Sequence, residues 1–200
     1  MSREIEDKRV IYIKNGVRLG AAKSRNKGCN HATGSIIGFN DSDDIWEKQK
    51  LTKQLEVLYE KANCGMVYCP YLYVVGSIIR RMPSYEISKQ LLSGKMYDFL
   101  LEGNVIGTPT MLIKKSCFKK LGGFDENLKA LEDYDLALRI SRDYEIGFVD
   151  ECLVKAYRVD RGVGSNYIDV LDARFKMIDK FKCSSKKNGL YSMILHTVPL

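Results

Sequence analysis

Proline, histidine and tryptophan are scarce in this 200-residue sequence, which contains four, two and one of them, respectively. The two histidines have no cysteine pair at finger-like spacing, so the pattern does not predict a structural zinc site. Internal repeats and low-complexity tracts are missing, and the hydrophobic fraction of 45% and the charged fraction of 28% are ordinary for a globular domain. This composition excludes a disordered tail, a collagen-like fibre and a disulfide-dominated miniprotein, and the length predicts one compact domain.

The sequence has six cysteines but no C-x-x-C pair. Most of the cysteines lie inside apolar runs, such as Met66–Cys69 and Cys152–Val154. The chain begins with a charged stretch through Arg9 and not with a basic segment followed by an apolar one, so we expect no signal peptide. We therefore predict a reduced, cytoplasmic protein with buried free thiols, although six cysteines could also form three disulfides.

Acidic residues are outnumbered by basic ones, with 25 Asp plus Glu against 32 Lys plus Arg, and the formal charge is +7. This surplus favours an anionic partner, which could be nucleic acid, a sugar nucleotide or a membrane surface. The basic residues are scattered and match no recognised DNA- or RNA-binding motif. Nucleic acid is therefore not the partner we expect.

Long hydrophobic runs are also absent. The uncharged segment 63–79 is shorter than the roughly 20 residues that cross a bilayer, and it contains Gly65, Pro70 and Gly76. Its Val, Ile and Tyr content and the central proline predict two short strands around a bend.

Strands and helices alternate along the sequence. Runs of β-branched and aromatic residues predict strands at Arg9–Ile13, Ser35–Phe39, Gly65–Cys69, Tyr71–Ile79, Thr110–Ile113, Glu145–Val149 and Leu153–Val159. Apolar residues at helical spacing predict helices at Leu19–His31, Trp46–Ala62, Ser116–Leu121, Glu132–Arg142 and Ile168–Lys182. This order predicts an α/β fold with a mixed sheet flanked by helices.

An acidic turn is the first group of residues that could carry chemistry. Asp41, Asp43 and Asp44 follow directly on the apolar strand predicted at Ser35–Phe39. Three carboxylates in so short a stretch repel one another, and Mg²⁺ or Mn²⁺ would compensate the repulsion because these ions prefer carboxylate oxygen. A strand end would also direct the side chains into a crevice. The alternative is a solvated turn in which Asp44 caps the next helix.

A second acidic group follows the sequence Gly-Gly-Phe-Asp, at the predicted helix that begins with Glu132 and Asp133. A carboxylate near a helix start is favoured by the backbone dipole, so Asp133 could simply cap this helix. It could instead be a general base that is held rigidly at the wall of a crevice.

Four ordered segments resemble the family 2 glycosyltransferases of GT-A fold: RVIYIKNGVRLGAAKSRNKG, GSIIGFNDSDDIW, LIKKSCFKKLGGFDENLKALEDYDLALRI and GFVDECLVKAYRVD. The resemblance covers about Lys8–Arg161. It implies a GT-A-like fold and an enzyme that moves a sugar from a nucleotide-sugar donor to a glycan or lipid-linked acceptor, in cell-envelope or exopolysaccharide assembly. It also implies inversion at the sugar, because the acceptor oxygen attacks in one displacement and no covalent nucleophile is required.

The resemblance assigns roles to the two acidic groups. Asp41 and Asp43, with Asp44 adjacent, match the Asp-x-Asp signature whose carboxylates hold a Mg²⁺ or Mn²⁺ bound to the donor diphosphate. Asp133, in the pair with Glu132, matches the catalytic base that takes the proton from the acceptor hydroxyl.

Two further positions are implied to contact the donor. Arg25 belongs to the segment that matches the LGxxxxRNxG helix beside the nucleotide, where it would contact the diphosphate or the base, or else be structural. The stretch Asn104–Thr110 would form part of the wall around the donor sugar and the acceptor, with Thr108 as a donor-binding residue.

The resemblance is incomplete at the N-terminus. Family members normally begin with a strand of the type SVIIPTYN, a helix and a second strand ending in DDGSxD, whereas this chain reaches RVIYI at Arg9. We therefore expect an N-terminally truncated fold whose open sheet edge is covered by a second copy or a partner chain. The alternative to an enzyme is a catalytically inactive fragment that acts as a binding or assembly subunit.

The resemblance is also incomplete after the last strand. The family often has a histidine a few residues past Tyr-Arg that is available to the metal, and here Asp160 could replace it.

We divide the chain into a partial glycosyltransferase domain at 1–165 and a C-terminal basic amphipathic helix and tail at 166–200. Five lysines make this helix and tail basic: Lys176, Lys180, Lys182, Lys186 and Lys187. The basic side is either a solvated face or a docking surface for anionic lipid. Docking would give a peripheral contact at the inner face of the membrane and would suit a lipid-linked acceptor.

Overall fold

The computed structural model describes residues 7–84, 86–157 and 167–182. Its strands are β1 (Ile36–Gly38), β2 (Asp44–Trp46), β3 (Cys64–Tyr68), β4 (Tyr71–Val75), β5 (Ile78–Met82), β6 (Leu112–Lys114), β7 (Glu145–Phe148) and β8 (Val154–Tyr157). Its α-helices are α1 (Ala21–His31), α2 (Lys50–Glu60), α3 (Tyr97–Glu102), α4 (Lys115–Lys120), α5 (Glu132–Asp143) and α6 (Tyr167–Phe181). Short 3₁₀ turns lie at Lys89–Leu91 and Thr108–Thr110.

The strands form two sheets of four. The first has the order β1-β6-β3-β7, in which β6 is antiparallel to both neighbours and β7 is parallel to β3. The second has the order β2-β8-β4-β5, in which β8 is antiparallel to β2 and parallel to β4. The predicted α/β fold with helices flanking mixed strands is therefore confirmed, although the strands form two mixed sheets and not one.

The main core lies around the first sheet. All five residues of β3 are buried, and Met66 and Tyr68 pack in one cluster with residues of α3 and α5. The C-terminal helix α6 adds Ala173, Met177 and Phe181 to the same cluster. Each large apolar side chain that is buried in this way contributes about 1.5–3 kcal/mol to stability, so α6 is anchored to the same core as the sheet.

The strand predicted at Arg9–Ile13 is wrong. The segment has no strand pairing in the described structure, and Val10, Ile11 and Tyr12 are 50%, 64% and 86% exposed. β-branched and aromatic residues favour a pleated, half-buried surface, and this segment has neither a pairing neighbour nor a buried face.

The helix predicted from Trp46 begins later, at Lys50. Trp46 belongs instead to β2, where it pairs with Val154, and Asp44 pairs with Ala156. The interpretation of Asp44 as a helix cap is therefore wrong, because tertiary pairing with β8 places it in a strand.

The strand predicted at Tyr71–Ile79 is a hairpin. The chain turns at Gly76, whose φ of 56° is a left-handed conformation that glycine adopts without a Cβ penalty, and Val75 then pairs with Ile78. The predicted bend near Pro70 is confirmed, because it separates β3 from β4.

The five described cysteines are free, and four of them are buried: Cys29, Cys64, Cys69 and Cys117. Cys152 is half-buried, and Cys183 lies outside the described residues. The prediction of buried free thiols is confirmed at these four positions. None of the helices in the described part of the chain is both long enough and apolar enough to cross a membrane.

The lysines of α6 make ion pairs with carboxylates of this chain. Lys180 binds Asp125 and Asp135 at 2.9 and 2.6 Å, and Lys176 binds Asp172 at 2.7 Å. Docking to anionic lipid stays a prediction. The proposed boundary at 165/166, Asp160, Lys186 and Lys187 all lie outside the described residues.

The Gly-Gly-Phe-Asp loop is fastened to α1 by Asn26. Its amide Nδ2 donates to the carbonyl of Phe124 at 2.9 Å, and its Oδ1 accepts the backbone N–H of Phe124 at 2.9 Å. At Gly123, φ is 73° and a Cβ would lie 2.7 Å from Oδ1 of Asn26, so only glycine fits there. This contact fixes the approach to α5 against α1.

We expect Asn26→Ala to lower the free energy of unfolding by about 2 kcal/mol, because it leaves the N–H and C=O of Phe124 without partners. Urea unfolding would measure this. Asn30→Ala, on an exposed position of the same helix, is the control and should change stability by less than about 0.5 kcal/mol. Equal effects of the two variants would contradict the role of Asn26.

Candidate functional site

Arg25 on α1 joins the two acidic groups that the sequence separates. Its Nη2 lies 2.8 and 3.1 Å from the two carboxylate oxygens of Asp41, and its Nη1 lies 2.5 Å from Oε1 of Glu132. Burial lowers the pKa of Arg25, but the bond to Asp41 and the charges of Glu132 and Asp133 outweigh it and raise the pKa. The turn after β1, the middle of α1 and the start of α5 therefore meet at one place.

The acidic turn contains carboxylates in different surroundings. The backbone N–H of Asp44 donates to the carbonyl of Asp41 at 3.1 Å, which closes the turn, and Asp43 is exposed. The pKa of Asp44 is raised to about 6, chiefly by burial and then by the charges of Asp41 and Asp43. The charges of Asp41 and Asp43 thus act on Asp44 in the direction that the predicted repulsion requires, with burial as the larger cause.

The start of α5 holds Asp133 at both carboxylate oxygens. Its Oδ1 accepts the backbone N–H of Tyr134 at 2.7 Å, and its Oδ2 accepts the hydroxyl of Thr108 at 3.2 Å. Burial, followed by the charge of Glu132, raises the pKa of Asp133 to about 6. One carboxylate oxygen of Asp133 thus binds a backbone N–H in the first turn of α5, as the capping interpretation expects. The other oxygen binds the 108–110 turn.

The backbone just before this carboxylate is strained. Leu131 has a φ of 59°, in the left-handed region that a leucine rarely occupies. Such conformations cost about 1–3 kcal/mol and are concentrated at functional sites. The strain supports a role for Glu132 and Asp133 beyond that of a helix start.

Negative charge is in excess in this region. Four carboxylates, those of Asp41, Asp44, Glu132 and Asp133, interact with the guanidinium of Arg25, and a fifth, Asp43, acts on Asp44. Hard oxygen donors with uncompensated charge fit Mg²⁺ or Mn²⁺. Among the described residues, no group of three or more His, Cys, Asp or Glu side chains already forms a ligand set. Metal binding at Asp41, Asp43 and Asp44 therefore stays a prediction.

The second sheet forms a platform beside these carboxylates. Residues that pair directly across strands share one face of a sheet, and two such rows follow from the register: Asp44, Ala156, Tyr73 and Arg80, and next to it Trp46, Val154, Tyr71 and Met82. The segment Asn104–Thr110 contacts this platform, since Trp46 donates its indole N–H to the carbonyl of Pro109 at 2.9 Å. A Cβ on Gly107 would lie 3.5 Å from the ring of Tyr71.

Two cavities adjoin the carboxylates. A cleft of about 780 Å³ is lined by residues 15–21, Ser24, Arg25 and Asp41. A smaller pocket of about 290 Å³ has Asp133 in its wall, together with Tyr71, Met82 and Asn104. Asp133 thus borders a space in which a second molecule could be held.

The structure brings together most of the residues that the sequence singles out. Thr108, predicted to bind the donor, is 5% exposed and bonds to Asp133, so its contact with a donor stays a prediction, as does that of Arg25 with a diphosphate. The sequence does not single out Trp46 or Gln54 as site residues. The only signal is that Trp46, the single tryptophan, lies two residues after Asp44 of the acidic turn.

The chain is similar to known glycosyltransferases. The sequence profile of the family described as "Glycosyltransferase like family 2" matches residues 2–155. An uncharacterised glycosyltransferase of Methanocaldococcus jannaschii is 33% identical over 159 residues, which are 77% of this chain and 52% of that protein. A UDP-Glc:α-D-GlcNAc-diphosphoundecaprenol β-1,3-glucosyltransferase of Escherichia coli is 29% identical over 182 residues, which are 89% of this chain and 67% of that protein.

The fold is similar to that of solved glycosyltransferase structures. A mannosyltransferase of Pyrobaculum calidifontis in complex with GDP-Man and Mn²⁺ superposes with a TM-score of 0.59 at 18% identity, over 92% of this chain and 50% of that chain. This confirms the predicted GT-A-like fold. The chain spans about half the length of the Methanocaldococcus jannaschii relative and of bacterial relatives from Haemophilus influenzae and Rickettsia typhi.

We expect Asp133→Asn to raise the free energy of unfolding above pH 7 by about 1–2 kcal/mol, because the folded chain holds a carboxylate whose pKa is raised. The wild type loses this stability as the pH rises from about 4, the ordinary value of a carboxyl, through about 6. Denaturant unfolding between pH 4 and pH 8 measures the effect, and the difference between the two proteins should shrink toward pH 4.

The control is Glu56→Gln, which removes an exposed carboxylate on α2. It should show no such pH-dependent gain. A stability difference for Asp133→Asn that stays constant over this range would contradict the raised pKa of Asp133.

Proposed function

Since this chain belongs to the glycosyltransferase family 2-like proteins, we propose that it transfers a sugar from a nucleotide-sugar donor to an acceptor hydroxyl, with inversion and with the help of a divalent cation. The observation that carries the proposal is the junction at Arg25, which holds the Asp41 turn against the start of α5. Leaving-group stabilisation and base catalysis need to act on one sugar at the same time, and this junction holds the corresponding groups close to each other.

Asp133 is the group best suited to take the acceptor proton. A general base works best when its pKa lies near the working pH, and burial raises that of Asp133 to about 6. The bonds from Thr108 and Tyr134 restrict its carboxylate to one orientation. Glu132 is bonded to Arg25, so in this proposal it orients the start of α5. Its charge also raises the pKa of Asp133.

Asp41, Asp43 and Asp44 would hold the divalent cation. When bound, Mg²⁺ or Mn²⁺ acts as a Lewis acid that neutralises charge on the departing nucleoside diphosphate. The pKa of Asp44 is raised first by burial and then by the charges of Asp41 and Asp43, and a bound cation would offset these charges. The mannosyltransferase from P. calidifontis was solved with GDP-Man and Mn²⁺, which agrees with this choice of cation.

The two cavities suggest where the substrates bind. The cleft along residues 15–21 reaches Arg25 and Asp41, so it suits the nucleotide diphosphate of the donor. The pocket that includes Asp133 suits the acceptor, because its hydroxyl must reach the base. In the second pocket, an aromatic ring, an amide and a carboxylate offer the apolar face and the hydrogen bonds that a sugar ring requires.

The relatives point to a glycan or lipid-linked acceptor. The E. coli relative acts on a diphosphoundecaprenol-linked sugar, and a relative in Bacillus subtilis is named as a putative teichuronic acid biosynthesis glycosyltransferase. We infer a role in cell-envelope polysaccharide assembly on the cytoplasmic side, with peripheral contact to the membrane where the acceptor is lipid-linked. The buried free thiols agree with a reducing compartment.

We expect one of UDP, GDP or dTDP to bind in the presence of Mn²⁺, and Asp43→Asn to remove the Mn²⁺-dependent part of this binding because it removes a ligand carboxylate. Isothermal titration with each nucleotide, with and without Mn²⁺, measures it. Glu60→Gln, an exposed change on α2, should bind like the wild type. If none of the nucleotides binds with Mn²⁺, the enzymatic proposal fails and a binding or assembly subunit becomes the better explanation.

We expect Asp133→Asn to lower kcat at least 100-fold, since an amide cannot accept the proton, while the dissociation constant of the nucleotide stays within about twofold. In the wild type, kcat should rise with pH around a midpoint near 6. Steady-state rates of sugar transfer or of donor hydrolysis measure both effects. A variant with nearly wild-type kcat would exclude Asp133 as the base.

A further inference from the structure

The 3₁₀ turn Thr108–Thr110 donates a hydrogen bond to Asp133 and is stabilised by hydrogen bonds of its own. The hydroxyl of Thr110 donates to the carbonyl of Gly107 at 2.7 Å, and the backbone N–H of Thr110 donates to the same carbonyl at 3.0 Å. Thr108 and Thr110 are 5% and 0% exposed. These bonds make the turn a compact unit. The position of the Thr108 hydroxyl therefore depends on where Pro109 and Thr110 are held.

Two side chains from outside bind the carbonyls of this turn. Trp46 donates its indole N–H to the carbonyl of Pro109 at 2.9 Å. Gln54, which is fully buried on α2, donates its amide to the carbonyl of Thr110 at 2.8 Å. Pro109 has no backbone N–H to donate. Other elements therefore bind this part of the turn by donating to its carbonyl oxygens.

The indole of Trp46 is in close contact with two other elements. At Gly38, a Cβ would lie 2.9 Å from the ring of Trp46, so β1 approaches the indole as closely as a glycine allows. The ammonium of Lys50, a fully buried residue one turn before Gln54 on α2, lies 3.9 Å from the centroid of the ring. These two close contacts restrict the rotation of the indole, so its N–H is held as a donor to Pro109.

Trp46 and Asp44 are two residues apart on β2 and share one face of the sheet. The strand therefore carries a carboxylate of the acidic turn at one position and, two positions later, the donor that fixes Pro109.

We propose that Trp46 and Gln54 are positioning residues for Asp133, which they hold in the orientation of a general base by fixing the turn from which Thr108 donates to it. This inference rests on the proposed function of Asp133. The hydrogen bonds of Trp46 and Gln54 go to the carbonyls of Pro109 and Thr110 and not to Asp133, so both residues act through the backbone of residues 108–110.

The test uses Trp46→Phe, Gln54→Met and the double variant, which keep apolar bulk but remove the two donors. The ¹³C chemical shift of the Asp133 carboxyl, followed against pH in the full chain, needs no substrate. We expect its midpoint to rise, by about half a pH unit in the double variant, because a bond that stabilises the carboxylate is weakened. Glu132 and Arg25, the other charged groups that act on Asp133, are unchanged in these variants.

Two variants at Thr108 calibrate the result. Thr108→Val removes the hydroxyl and should raise the midpoint at least as far as the double variant does, whereas Thr108→Ser should restore the wild-type value. Tyr59→Phe removes an exposed hydroxyl from α2 and should change nothing. A double variant that melts cooperatively and has the wild-type midpoint, while Thr108→Val is shifted, would overturn the proposal.

The kinetic arm separates positioning from structure. We expect kcat for transfer to fall about tenfold in the double variant with KM for the donor unchanged, since misplacing a catalytic group affects the transition state more than donor binding. If kcat and KM change together, the residues support the whole site and the proposal fails. If the wild type itself transfers no sugar, the function proposed for Asp133 fails, and the titration still decides whether Trp46 and Gln54 hold it.

Discussion

The guanidinium of Arg25 is the interaction on which the site depends. It binds Asp41 and Glu132 at the same time, and thereby draws the turn after β1 and the start of α5 onto one helix. Like charges only a few ångströms apart repel by several kcal/mol at the effective dielectric of a protein surface. Without a cation between them, the two acidic groups would move apart. The charge of Arg25 acts to lower the pKa of both Asp44 and Asp133, although burial and neighbouring carboxylates leave both pKa values raised.

The sequence predicts the residues of the site better than their contacts. The spacing of Asp41, Asp43 and Asp44 and the position of Asp133 at a helix start can be read from the chain, and the resemblance adds Arg25 and Thr108. That Thr108 donates to Asp133 depends on how the 108–110 turn packs on Trp46, which is a tertiary contact between segments far apart in sequence. Neither local propensity nor spacing contains this information, and the same holds for the raised pKa values.

The fold shows the same division. Helices with a strong apolar face, such as α5, are predicted almost to the residue because burial of one face decides their formation. The prediction of strands fails where strand formation depends on a pairing partner from elsewhere in the chain. Arg9–Ile13 has the composition of a strand but pairs with no strand among the described residues, whereas Trp46 becomes a strand residue because β8 pairs with it. Strand formation is a property of two segments, so one segment's composition predicts it poorly.

The start of α5 explains how a protein can keep a costly carboxylate where it is useful. Asp133 is placed there against burial, the charge of Glu132 and the strained backbone of Leu131. Two residues later, fully buried Asp135 is bonded to Arg139 at 2.6 Å and to Lys180 of α6 at 2.6 Å. Arg139 also donates to the carbonyls of Leu121 and Gly123, so it ties α5 to the loop that Asn26 holds. The first turn of α5 therefore contains one carboxylate that is satisfied and fastens the helix, and one that is left poorly compensated. Through Asp135, both Arg139 and Lys180 of α6 hold the helix turn that carries Asp133, so α6 helps to fix the start of α5.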